Sequence, residues 1–198
     1  MAEERAYLIH PKQIVITLVI AAVTVLFIAF SASYLYNRVQ TGIPPVQLPL
    51  LFYFNSIVLL ASSYTLILAK RAYLEDETSK YKNLVLATII ISTVFLGLQI
   101  LAWQQMRTMN IFVDAANTGS YMYLISATHF LHVIGGLPFL IVFYVNAVRK
   151  MRSPVSVLIY FSDPDKKRDL QLLTTYWHYI DILWIYLVLF FLINYWIQ

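Results

Sequence analysis

The chain has no cysteine, only five glycines and four histidines, and just 12% charged residues. Each shortage removes a class of chemistry. Without cysteine there is no disulfide and no thiolate ligand, which excludes Cys-ligated iron–sulfur clusters and Cys-type zinc or copper sites. The scattered glycines form no phosphate-cradling loop. H-E-x-x-H is absent, and no loop brings together a serine, a histidine and an acid for nucleophilic catalysis. An ordinary soluble domain carries about 25% charged residues. With less than half that share and 60% hydrophobic residues, the chain is an integral membrane protein.

Apolar runs divided by charged or Pro/Gly-containing stretches predict a single membrane domain over 1–198, an all-α bundle of five transmembrane helices at about 13–36, 49–69, 84–104, 119–147 and 171–196. The first run is too long for a signal peptide, so an uncleaved span is expected despite the small residues Ser31, Ala32 and Ser33. The polar stretches 37–48, 70–83 and 106–118, the second rich in charge and the third containing Arg107 and Asp114, read as loops. The fourth run exceeds the roughly 20 residues needed to cross about 30 Å. It contains Pro138, which frees the carbonyl of Ile134 and gives a reason for a bend. Gly135 and Gly136 remove bulk where another helix can approach. The longest connector, 149–170, is basic at both ends; its apolar centre, 155–161, is too short to span and is expected at the interface.

Five spans place 12 Lys or Arg on one side and 2 on the other. The positive-inside rule therefore predicts a cytoplasmic N-terminus and an outside C-terminus, and it accounts for the basic loops without nucleic acid. Aromatic residues are expected at the boundaries: Tyr34, Tyr36, Tyr53, Trp103, Tyr121, Tyr123, Tyr195 and Trp196 outside, and Tyr176, Trp177 and Tyr179 inside.

Three histidines and one acid fall inside spans. His129, His132 and Gly136 share a helical face through spacings of three and four, and His178 and Asp181 share another. Histidines on facing helices raise a haem as one reading. Against it stands depth: counted from the expected span ends, His132 lies roughly 24 Å and His178 roughly 9 Å from the cytoplasmic end, a mismatch on the order of 15 Å. A proton or ion path is a second reading, but the first three spans contain no acid, base or histidine in their interiors, whereas such relays use several titratable groups at stepped depths. Interhelical hydrogen bonding explains the same residues. For Asp181, costly if ionised in hydrocarbon, His178 is the nearest partner within the helix.

Four stretches carry a resemblance. YWHYIDILW at 176–184 resembles YWHFVDxxW, and HFLHVIGG at 129–136 resembles HGxHVxxG. PPVQLPLLFYFNSIVLLASSYT at 44–65 is similar to a W-P-P segment followed by N-T-x-x-L-L-x-S-S, and FLGLQILAW at 95–103 to F-L-x-x-Q-x-x-E-W. All resemble, in their order along the chain, subunit III of haem-copper respiratory oxidases, the cytochrome c and quinol oxidases. The likeness implies the short five-helix bacterial form, in the cytoplasmic (inner) membrane. It implies a subunit with no catalytic, cofactor or metal site of its own, bound directly to subunit I, which holds haem and copper and reduces oxygen while protons are pumped. Such a subunit stabilises subunit I and supports proton uptake; other oxidase subunits, a respiratory supercomplex and a structural phospholipid are further implied partners.

The matched positions, read as structural, interface or lipid-contact residues, are Asn55, Ser63, Gln99, His129, His132, Gly136, Trp177, His178, Asp181 and Trp184. Three departures limit the carry-over. Longer members have seven helices, and the first two have no counterpart in this sequence, as in the shorter bacterial forms, so the lipid-holding cleft between those two and the rest is not expected from this chain alone. The carboxylate common in the helix matching 13–36 is absent, and Ala102 and Ile43 replace the usual glutamate and tryptophan. An accessory subunit of a nitric oxide reductase and a b-type cytochrome subunit are the alternatives.

Overall fold

The structure, a computed structural model, describes residues 10–42, 44–113 and 118–197. Expectations that fall on residues 1–9, Ile43 and Asp114 lie outside the described residues. Within them the chain is all helix: α1 (Pro11–Thr41), α2 (Leu50–Leu74), α3 (Thr78–Thr108), α4 (Thr118–Lys150), α5 (Pro154–Ser162) and α6 (Pro164–Trp196), with no strand. All but α5 are long and apolar enough to cross a membrane.

Every span is longer than expected, and in each case the local chemistry accounts for it. A helix of 31 residues such as α1 or α3 is about 46 Å long, so its ends project beyond the roughly 30 Å hydrocarbon layer. Lys, Arg, Ala and Glu at those ends are good helix formers, and long cationic side chains reach the headgroups while their stems stay apolar. The expected loop at 70–83 thus shrinks to 75–77, a turn in which Asp76 takes φ 57°. The loop at 37–48 begins only at Gly42, whose φ of 61° ends α1 in a left-handed cap.

The connector 149–170 is mostly helical, and the last span starts at Pro164 rather than at the expected 171. Ser153 and Asp163 each precede a proline, the N-cap and first-turn signal that starts a helix. Ser153 and Ser156 form a capping box on α5, and Asp163 accepts from the Asp165 N–H to start α6. Helix α4 runs unbroken across Pro138.

Helix α6 is central, in contact with α1, α2, α4 and α5, while α1 touches only α4 and α6 to any extent. α2 and α3 pair antiparallel through three rungs: Asn55 Nδ2 to Gln99 Oε1 at 2.9 Å, Ser62 Oγ with Ser92 Oγ at 2.9 Å, and Thr65 Oγ1 with Thr88 Oγ1 at 2.9 Å. Such polar residues bring the backbones close and bond each other where water is absent, although Asn55 Oδ1 and Gln99 Nε2 keep no hydrogen-bond partner among the described residues.

Candidate functional site

The matched residues converge on the seam where α6 meets α2, α3 and α4. Trp184 lies at its centre, 1% exposed, stacked on Phe52 at 5.4 Å and edge-on to Phe95 at 5.3 Å. Its Nε1–H donates to Ser56 Oγ at 3.2 Å. Two helical turns earlier the buried Trp177 reaches Ser62 Oγ at 3.4 Å, joining α6 to the α2–α3 ladder. Gly136 allows this approach: a Cβ there would stand 2.9 Å from the Trp177 ring and 3.0 Å from Tyr176. Gly135, expected to serve a neighbouring helix too, is exposed, with nothing within 4 Å of its would-be Cβ.

The histidines have separate commitments. His129 is fully buried, and its Nε2–H donates to the Ile180 carbonyl at 3.1 Å, which leaves Nδ1 without a hydrogen-bond partner among the described residues. Its ring packs 4.9 Å from that of Trp184. His132 donates from Nδ1 to the Thr128 carbonyl at 2.7 Å and faces Phe27 of α1, so the shared face of 129 and 132 splits between two neighbours. His178 Nδ1 pairs with Ser63 Oγ on α2 at 2.6 Å.

The neighbour expected inside α6 is there, but no hydrogen bond joins the two. Asp181 Oδ2 stands 3.9 Å from His178 Nδ1, within ion-pair range but beyond hydrogen-bond distance, and it has no hydrogen-bond partner among the described residues although Asp181 is only 3% exposed. Spacing of three set the two side chains on one face, but a serine on the neighbouring helix offered the imidazole a shorter bond.

The depth argument is also overturned. Tyr176 donates to the His132 carbonyl at 3.2 Å and His129 to that of Ile180, so His178 lies level with the same turn of α4. The error came from starting α6 at 171 rather than Pro164; seven more residues add roughly 10 Å of helix below His178. For the same reason Tyr176, Trp177 and Tyr179 belong to the middle of the span and not to an inner aromatic belt. What separates the imidazoles is bonding: they serve Ile180, Thr128 and Ser63, in three directions. Among the described residues no three His, Asp or Glu side chains are grouped to hold a metal.

Several polar contacts escaped sequence reasoning. Arg38 donates to the Asn194 carbonyl at 2.7 Å, to Asn194 Oδ1 at 3.0 Å and to the Ile197 carbonyl, closing the C-terminal end of α6. Tyr179 shares a 2.8 Å bond with Thr24, and Tyr186 donates to Ser31 at 3.0 Å, tying α1 to the bundle. A lone cation or a tyrosine in an apolar run was the only signal for these.

The four quoted stretches thus occupy α2, α3, α4 and α6 and meet at one seam. The family model for cytochrome c oxidase subunit III matches residues 13–198. The chain belongs to that family. Among curated members of the subunit III family, it is 28% identical over 171 residues to cytochrome c oxidase subunit 3 of Anopheles gambiae, covering 81% of this chain and 59% of that protein. It is 30% identical over 148 residues to that of Danio rerio, covering 74% of this chain and 50% of that protein. The chain therefore spans between half and three fifths of the length of these relatives. Of the family's glutamate in the third span nothing remains, since Ala102 is completely buried there without a polar atom in its side chain.

Proposed function

We propose that this chain is the non-catalytic subunit III of a proton-pumping haem-copper terminal oxidase, bound to subunit I in a bacterial cytoplasmic membrane with its N-terminus inside. The observation that carries the reading is how the bundle spends its polar groups. Nearly all matched polar residues bond between or within helices and line no substrate-sized cavity, while the outer faces of the spans are apolar and face lipid or protein. Such a chain holds a neighbour in place. Charge asymmetry along the chain supports the orientation.

Support of proton uptake rests on Asp181, the one carboxylate in the interior of the described spans, since the family's other carboxylates are missing. A groove of about 610 Å³ between α1, α4 and α6 suits a structural phospholipid. Val15, Val19, Phe139 and Phe143 line it for an acyl chain, and the Lys12–Asp169 ion pair, 2.6 Å apart, stands where a headgroup would lie.

Purification of the native complex tests the reading. The largest co-purifying subunit is expected to carry the six-histidine haem-copper pattern, and the isolated chain to have no Soret band. A stoichiometric Soret band retained by this chain alone, or a partner without that pattern, would overturn it.

A further inference from the structure

Helix α5 is the part of the molecule that the oxidase reading leaves unused. Nine residues make about 13 Å of helix, too short to span a bilayer. One side of it is docked: Tyr160 is buried, its carbonyl accepts from Tyr73 Oη at 3.2 Å, and Phe161 packs 5.0 Å from the Tyr73 ring. The other side carries Val155, Leu158 and Ile159, at spacings of three and one, which are 69%, 68% and 64% exposed. An apolar stripe this open needs a cover.

The charge around it says which. Asp163 caps α6, Asp165 pairs with Arg168 at 3.1 Å, and Asp169 pairs with Lys12, so every acid of the segment from 149 to 170 is already engaged. Arg149, Lys150, Arg152, Lys166 and Lys167 form no ion pair and no side-chain hydrogen bond among the described residues. They sit in the last turn of α4, the turn before α5 and the first turn of α6, the places where a span leaves the hydrocarbon. An apolar stripe bordered by unneutralised cations at that level matches an anionic leaflet. A soluble anion would satisfy the cations but not the stripe.

We infer that α5 and its flanking cations form a binding surface for anionic phospholipid, with Val155, Leu158 and Ile159 at the glycerol level and the five cations on the phosphates. Tyr73 and Phe161 hold the helix to the bundle, so lipid bound there steadies the α4–α6 connection. This surface stands apart from the groove at α1 and does not depend on the oxidase reading.

The test uses the full chain, which lacks cysteine, with Leu158→Cys labelled by bimane in nanodiscs of phosphatidylcholine alone or mixed equally with phosphatidylglycerol. Spin labels carried at the glycerol level are expected to quench the bimane, more strongly in the anionic discs. In lipid competition, each of Lys150→Gln, Arg152→Gln and Lys167→Gln should lower the preference for phosphatidylglycerol about fivefold. Equal affinity for the two lipids would overturn the inference, and so would full competition by soluble glycerol phosphate. No quenching in either disc, at unchanged helical circular dichroism and with Val155→Cys giving the same result, would mean that protein or water covers the stripe, and would also overturn it.

Discussion

Gly136 and Gly135 are adjacent, yet they occupy opposite surroundings. At Gly136 a methyl group would press on the Trp177 and Tyr176 rings, and overpacking of this kind costs typically about 1–3 kcal/mol. Gly136→Ala should therefore lower the thermal midpoint of the chain in detergent. Gly135→Ala, with open space around it, should leave the midpoint unchanged or raise it slightly, since alanine favours helix by up to about 1 kcal/mol. The Ser63, His178 and Asp181 group gives a second test at this scale. Ser63→Ala removes the His178 partner and should cost about 0.6 kcal/mol, the average for interhelical bonds in membranes, and at most about 1.7. Asp181→Asn should be mild, whereas Asp181→Leu puts an apolar group beside the Ser63–His178 pair and should loosen the subunit while the partner's haem spectrum persists. If Asp181→Asn retains the subunit fully through purification yet abolishes the initial oxygen-consumption rate, the carboxylate carries protons and its role is more than structural.

Among the elements, α5 is the one held by few contacts. Tyr73→Phe deletes the bond to the Tyr160 carbonyl and should speed amide exchange over 154–162 while leaving α2 and α3 protected. Burial pushes the Tyr160 hydroxyl above its ordinary value of 10.0, so the docked helix keeps a proton that the undocked one releases. The contribution is complete below pH 10 and is lost as pH rises through the raised value; amide exchange in α5 is expected to accelerate at alkaline pH before that of α6. The serine–proline and aspartate–proline steps that begin α5 and α6 are visible in the sequence. The second of them starts α6 at Pro164, seven residues before the expected start at 171, where the charged residues 165–169 have ended.

For the whole molecule, the distribution of 12 Lys or Arg against 2 predicts a cytoplasmic turn at 75–77 and an outside C-terminus. Reporter fusions at the two points should report opposite sides; finding both on one side would refute a count of five crossings. The end that carries α5 also carries the Lys12–Asp169 pair and the α2–α3 turn, so the asymmetry is concentrated on one face of the bundle.

Composition and run length were enough to determine the class and the number of spans, because the cost of unpaired backbone in hydrocarbon leaves a long apolar run no other choice than a helix. The matched polar positions were legible for the same reason: an Asn, His or Asp in such a run is costly unless protein surrounds it, so it marks a helix contact. Which partner was decided only by tertiary structure. The i+3 neighbour Asp181 was in reach of His178, but Ser63, 115 residues away in sequence, came to 2.6 Å. Depth likewise followed from where α6 begins and how it slides along α4, and that register was set by the Trp177 ring seated on Gly136. Helical periodicity gives the direction in which a side chain points; only the packed bundle supplies what stands there.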